Sequence, residues 1–232
     1  MYRLIVFDLD GTLVDSRRDL AEATNRLILE RGGRAIEQAA VVHMVGEGSA
    51  KLIARAFRAA GLEVTPDALP RFLELYAERL DVYTRPYDGV PEMLEQVGCL
   101  APLAVLTNKP TPHTEALLAG LALRRYFARI VGGDGPYPRK PDPRSLLSLA
   151  AEFEATADDL VLVGDSVFDL RTARAANVRL ALARYGFGFA DIPAAELRPE
   201  DTIVDRPADV AGALEGRLRQ GPVGGERSRD GN

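Results

Sequence analysis

The chain of 232 residues is long for one domain of ordinary size and short for two, so its length fits a core that carries an inserted subdomain. A net charge of -5 with scattered arginines leaves no basic footprint and argues against a nucleic-acid partner. The single cysteine, Cys99, excludes an internal disulfide framework and suits a reducing cytoplasm, and the N-terminal apolar run is too short for a membrane span or a secretory signal.

In chain order, the first element is the apolar run Leu4-Ile5-Val6-Phe7, the pattern of a buried parallel strand, closed by Asp8 and Asp10 and followed by Gly11-Thr12. Open α/β sheets place their chemistry at such strand ends. The purely structural reading is an Asx-type turn in which Gly11 supplies an unusual backbone conformation. From Asp15 to Arg31, apolar residues at Leu20, Ala23, Leu27 and Ile28 have the three-four spacing of an amphipathic helix. Helical patterns continue over 36–42, 49–60 and 66–82 with no strand among them, which predicts an all-α insertion. From Pro91 onward helix and strand alternate four times, predicting a parallel sheet with right-handed crossovers. Residues 220–232, rich in glycine and charge, read as a disordered tail.

Two later strands also end in polar residues. Leu103 to Leu106 runs into Thr107-Asn108-Lys109, and Leu160 to Val163 runs into Gly164-Asp165-Ser166, with Asp169 one helical turn further on. Between them lies Arg139-Lys140-Pro141-Asp142-Pro143. In a parallel sheet these ends meet along one edge. Carboxylates about 4 Å apart repel by roughly 4 kcal/mol at an effective dielectric of about 20, so Asp8, Asp10 and Asp165 together require a cation. With oxygen ligands and no Cys or His in these motifs, Mg²⁺ is favoured over zinc.

Role assignments follow from chemistry. Asp8 is the candidate nucleophile, forming an aspartyl-phosphate. Asp10, set on the turn at Gly11, is placed to protonate a leaving alcohol and then to deprotonate the hydrolytic water. Thr107 and Asn108, with backbone amides at the following helix start, would hold the transferring phosphoryl oxygens, and Lys140 would neutralise charge on the nucleophile and the phosphoryl group. Asp169 either caps its helix or orients the metal shell. Only Lys51, Lys109 and Lys140 are lysines among many arginines, which points to a need for a compact ammonium in the motifs. Of these, Lys109 reads as covering a helix start, while Lys140, before Pro141, is pinned in an extended loop. Gly46, Glu47 and Gly48 open a helix whose amides, with Lys51, would receive a small anionic group of the substrate. Cys99 falls at the end of a helical pattern and is expected to pack; His43 and His113 lack metal-ligand spacing and read as surface or packing residues.

Taken together, Phe7-Asp8-Leu9-Asp10-Gly11-Thr12-Leu13-Val14-Asp15, Thr107-Asn108-Lys109, Lys140-Pro141-Asp142-Pro143 and Gly164-Asp165-Ser166-Val167-Phe168-Asp169 stand in the order of the four motifs of the haloacid dehalogenase superfamily. Over roughly residues 3 to 215 the chain resembles that superfamily's phosphoglycolate phosphatase-like members. Asp10 sets it apart from the dehalogenase branch, whereas Gly135-Pro136-Tyr137-Pro138 and Asn177 depart slightly from the pattern of the relatives. The resemblance implies an α/β fold with a Rossmann-like parallel sheet core, residues 1–15 and 87–219, and an inserted all-α cap, residues 16–86, with hinges near Asp15 and Tyr87. It implies a metal held by Asp8, the backbone carbonyl of Asp10, and Asp165, and a cytoplasmic monomer or homodimer that hydrolyses a small phosphorylated metabolite, 2-phosphoglycolate first among them. A sugar-phosphate phosphatase or phosphomutase of the same architecture would use the same Asp8 and Asp10. A phospho-acceptor signalling domain combines similar groups but is about half this length and lacks the helical insertion.

Overall fold

A computed structural model describes residues 1–220; of the tail expected to be disordered, 220–232, Gln220 ends the last helix and the rest lies outside the described residues. The first strand, β1 (Leu4–Phe7), is buried along its whole length, as a strand sandwiched between two layers must be. It is followed by β2 (Val14–Asp15), then the helices α1 (Arg17–Glu30), α2 (Gln38–Val42), α3 (Ser49–Ala59) and α4 (Ala68–Ala77), and then β3 (Arg85–Pro86). The chain continues through α5 (Val90–Gly98), β4 (Leu103–Leu106), α6 (Thr111–Gly120), β5 (Arg129–Val131), α7 (Arg144–Glu152), β6 (Leu160–Gly164), α8 (Val167–Ala176), β7 (Arg179–Ala183), β8 (Thr202–Val204) and α9 (Asp209–Gln220).

Six strands form one parallel sheet in the order β5-β4-β1-β6-β7-β8. The chain builds outward from β1 to β4 and β5, then returns to place β6 on the other side of β1. The crevice at this reversal lies at the C-terminal ends of β1, β4 and β6, where Asp8, Thr107 and Asp165 stand. Alternation along the strands sorts side chains into two layers. Ile5, Phe7, Val105 and Val163 face a cluster with Val90, Met93 and Leu94 of α5 and Val210 and Leu214 of α9. Leu4, Val6, Leu106 and Leu162 face Leu146 and Leu149 of α7 and Ala173 of α8. Each such fully buried aliphatic or aromatic side chain contributes roughly 1.5–3 kcal/mol, and this holds the strand ends in register.

Between β2 and β3 the chain is helical, and its apolar faces, including Leu27, Ile53, Phe57 and Phe72, are fully buried. The antiparallel pairing of β2 with β3, Val14 opposite Pro86 and Asp15 opposite Arg85, brings the departure and return of the chain side by side. Asp19 in α1 tightens this neck: its buried carboxylate accepts from the backbone N–H of Tyr83 (2.8 Å) and Thr84 (2.7 Å) and from the Thr84 hydroxyl (2.8 Å). Asn177 ends α8 in the left-handed conformation at φ 53°, which asparagine adopts with little strain, so the helix end accommodates this residue. Cys99 departs from expectation. It lies just past the end of α5 and is exposed, because the buried stripe of that helix is Val90, Met93, Leu94 and Val97 and Cys99 falls off it. Among the described residues no helix is long and apolar enough to cross a membrane.

Candidate active site

The end of β1 turns sharply. Gly11 has φ 93°, and a Cβ there would stand 2.1 Å from Asp165 Oδ2, so both the conformation and the close approach require glycine. That approach sets Asp8 and Asp165 side by side. Gly164 serves similarly on the other flank, where a Cβ would lie 2.3 Å from Asp169 Cγ. Asp8, Asp165 and Asp169 each bring a carboxylate oxygen within 4.8 Å of the others, and all three are buried. Lys140 Nζ completes the cluster at 2.8 Å from Asp8 Oδ1 and 2.5 Å from Asp169 Oδ1.

Each carboxylate is fixed by further bonds. Asp165 accepts from Thr12 Oγ1 (3.1 Å) and from the backbone N–H of Gly188 (2.7 Å). Asp169 both joins the cluster and caps its helix: Ser166 donates to its Oδ2 from the backbone (3.0 Å) and the hydroxyl (2.5 Å), while the Asp169 backbone N–H donates to Ser166 Oγ (3.4 Å), the reciprocal arrangement of a capping box. The two readings of Asp169, cap and metal-shell neighbour, are therefore compatible within one side chain.

Asp10 is held differently. Its carboxylate faces the helical segment, accepting from Ser16 Oγ (2.5 Å) and from Lys109 Nζ (2.7 and 2.9 Å), and it is not one of the three converging carboxylates. Lys109 also donates to the Tyr76 hydroxyl at 2.7 Å. Its side chain spans from the core to α4, a larger role than covering a helix start. The Asn108 side chain is occupied as well: Nδ2 donates to the carbonyls of Gly46 (2.7 Å) and Lys140 (3.0 Å), while Oδ1 accepts from Lys140 N (2.9 Å). It clamps the 46–48 loop and the Lys140 loop together, which leaves its backbone N–H, beside the Thr107 hydroxyl, for a ligand.

With all three carboxylates ionised, the cluster with its one ammonium would carry two net negative charges in a buried volume, and burial resists that state. Burial, opposed by Lys140 and aided by Asp169, pushes Asp8 up to about 7. Burial and the charges of Asp8 and Asp169 push Asp165 well above the usual carboxylate range. Burial works against the Lys140 ammonium, yet Asp169 and Asp8 together hold it above the ordinary lysine value. An all-oxygen donor set with an excess of two negative charges fits a hard divalent ion.

The cleft above these groups encloses about 690 Å³ including its open mouth. Asp8, Asp10, Thr107, Asn108, Lys140 and Asp165 all line it, as do Gly46 and Gly48. Glu47 does not, because its carboxylate turns to pair with Arg55 of α3. Lys51, expected beside it, is exposed and lies outside the lining. His43 is exposed and meets Asp191 at 2.9 Å, whereas His113 stacks on Tyr76 with ring centroids 6.0 Å apart. Sequence reasoning missed the loop after β7, whose Phe187, Gly188 and Asp191 border the cleft; its only signal was the pair Gly186 and Gly188 beyond a strand. It also missed Ser16 and Tyr76.

The geometry has close counterparts. Residues 5–183 match the model of the family "Haloacid dehalogenase-like hydrolase". The chain is 36% identical over 213 residues to a phosphoglycolate phosphatase of Pectobacterium atrosepticum, covering 90% of each protein, and 41% identical over 199 residues to one of Rhodospirillum rubrum, covering 81% of each. A crystal structure from Haemophilus somnus, described as a predicted phosphoglycolate phosphatase, superposes with a TM-score of 0.83 at 31% identity, covering 92% of this chain and 98% of that one. With a matched model over most of its length and relatives of this similarity, the chain belongs to the haloacid dehalogenase-like hydrolases.

Proposed function

We propose that the protein is a Mg²⁺-dependent phosphatase that hydrolyses 2-phosphoglycolate to glycolate and inorganic phosphate through an aspartyl-phosphate on Asp8. The observation that carries this reading is the convergence of the Asp8, Asp165 and Asp169 carboxylates, with Lys140 bridging Asp8 and Asp169 and Asp10 held apart at the rim of the same cleft. The names of the relatives at 36% and 41% identity supply the substrate.

Asp8, Asp165 and the backbone carbonyl of Asp10 would hold the ion, with Asp169 supporting the shell through Lys140. When bound, the ion supplies charge neutralisation between an anionic nucleophile and an anionic phosphoryl group. Asp8 attacks phosphorus while the bond to the glycolate oxygen breaks, and Asp10 gives its proton to that oxygen. Asp10 then takes a proton from the water that attacks the aspartyl-phosphate, which releases phosphate and restores Asp8. Thr107 and the Asn108 backbone N–H hold the phosphoryl oxygens, and Lys140 balances charge on both sides of the transfer. Gly46 and Gly48, in the helical segment 16–86 that acts as a cap over the core, close the cleft around the leaving group. We assign the enzyme to the cytoplasm, as a monomer or homodimer.

The test is phosphate release from 2-phosphoglycolate with Mg²⁺ and with a chelator, beside glucose 6-phosphate and other small esters. Metal-dependent turnover that favours 2-phosphoglycolate supports the reading. A stronger preference for a sugar phosphate would move the enzyme to the sugar-phosphate phosphatases of the same family.

A further inference from the structure

The cleft is lined by two ammonium groups, and only one of them belongs to the phosphoryl chemistry. Lys140 is committed to Asp8 and Asp169. The other is Lys109. The other cations near the helical rim lie outside the lining: Lys51 and Arg139 are exposed, Arg139 against the outer side of Gly48, and Arg55 pairs with Glu47. The rest of the helical side of the cleft carries no charge: it is formed by Leu20, Val42, Val45 and Leu52, with Gly46, Gly48 and Ser49 beside them. A second negative charge on a substrate therefore has one cation to meet.

That cation is aimed. The Lys109 side chain is only 4% exposed. Its Nζ lies 2.7 Å from the Tyr76 hydroxyl and 4.7 Å from the centroid of the Tyr76 ring. Tyr76 is itself fixed, stacked on Phe72 at 5.7 Å and on His113 at 6.0 Å. The third neighbour of the ammonium is the Asp10 carboxylate, at 2.7 and 2.9 Å.

This contact locates Lys109 relative to the bond that breaks. Proton delivery by Asp10 requires its carboxylate to touch the ester oxygen. A cation touching that same carboxylate stands about one carbon beyond the ester oxygen. In the phosphate ester of a 2-hydroxy acid, the carboxylate is borne by the carbon attached to that oxygen, and so it arrives at the ammonium. A neutral alcohol puts nothing there to replace the water removed from the ammonium, and a longer chain carries its carboxylate past it.

We infer that Lys109, aimed by the Tyr76 hydroxyl, is the specificity residue of this enzyme, selecting phosphate monoesters of short 2-hydroxy acids by pairing with the carboxylate next to the ester oxygen. The inference deepens the proposed function and rests on it for the placement of Asp10.

The experiment uses the full chain with Mg²⁺ and compares 2-phosphoglycolate with 2-hydroxyethyl phosphate, its counterpart without the carboxylate charge, in wild type, Lys109→Met and Tyr76→Phe. A charge-assisted hydrogen bond of about 1.5–3 kcal/mol corresponds to a factor of about 10 to 150. Lys109→Met should lose that factor in kcat/KM on 2-phosphoglycolate beyond whatever it loses on 2-hydroxyethyl phosphate. Tyr76→Phe, which keeps the stacked ring, should show a smaller loss of the same kind. A parallel binding arm titrates 3-phosphonopropionate, in which a methylene replaces the ester oxygen, and propylphosphonate calorimetrically: wild type should prefer the carboxylate-bearing phosphonate, and Lys109→Met should abolish the preference. Equal losses on both substrates, or an unchanged phosphonate preference, would overturn the inference and reduce Lys109 to a support for Asp10. Wild type that hydrolyses neither ester would sink the phosphatase reading by itself, and the binding arm would still decide the role of Lys109.

Discussion

Replacing Lys140 with Met removes the only ammonium from a buried cluster of three carboxylates while keeping most of the side-chain volume. At the observed separations of 2.8 and 2.5 Å, each lost contact is an attraction of about 6 kcal/mol at an effective dielectric of about 20. Much of that is offset by the cost of keeping the groups away from water. The net cost of breaking a buried ionic cluster is typically about 3–5 kcal/mol. For a chain of this size each kcal/mol moves Tm by about 2–4 °C, so the variant should melt roughly 6–20 °C below wild type. The melts are to be run with EDTA at pH 8, above the value near 7 to which burial pushes Asp8. Added Mg²⁺ should then raise the Tm of the variant more than that of wild type, because a site with one positive charge fewer attracts the ion more strongly. A variant that melts with wild type in EDTA, or gains less from the ion, would refute the charge balance assigned to this cluster.

Gly11→Ala should lower metal affinity and cost about 1–3 kcal/mol in a denaturant titration, since its Cβ would collide with Asp165 Oδ2 in a backbone conformation alanine resists; an unperturbed variant would show that the β1 turn does not set the Asp8–Asp165 spacing. In the metal-free protein, folded Asp8 keeps a proton that the unfolded chain has already released, its value being raised from 3.8 to about 7. Its contribution to stability is therefore full below about pH 4 and is lost as pH rises toward 7. Urea unfolding in EDTA at pH 5 and pH 8 should show this fall, and Asp8→Asn should flatten it; a wild-type slope equal to that of the variant would refute the assignment. Asp10→Asn should leave Mg²⁺ binding near wild type, because its carboxylate is outside the converging three, while slowing turnover of 2-phosphoglycolate by about 10²–10⁴. A large loss of metal affinity would instead make that carboxylate a ligand.

Much of this site was legible because its residues lie at strand ends, where an apolar run stops at an acid. Leu4 to Phe7 into Asp8, and Leu160 to Val163 into Gly164-Asp165, announce both the parallel sheet and the place of its chemistry. The elements that escaped were short or irregular. Strands β2 and β3 have two residues each and β8 has three, too few for any period to show. The loop bearing Phe187 and Gly188 has no period at all. Partnerships were harder to read than positions, because they depend on which rotamers the packed interior permits. The Lys109 contacts with Asp10 and Tyr76 join residues separated by 99 and 33 positions. Glu47 turned from the cleft to Arg55, eight residues on and two turns into α3, a choice that local sequence could not distinguish from a ligand contact.

The proposed catalysis depends on Asp8 carrying the phosphoryl group. Mixing Asp10→Asn protein with 2-phosphoglycolate and Mg²⁺, quenching within a single turnover and mapping the modified peptide by mass spectrometry tests this directly. The expected result is one phosphoryl group on the peptide containing Asp8, absent when Asp8 is also replaced by Asn. Free phosphate appearing at the single-turnover rate with no label on Asp8 would contradict it.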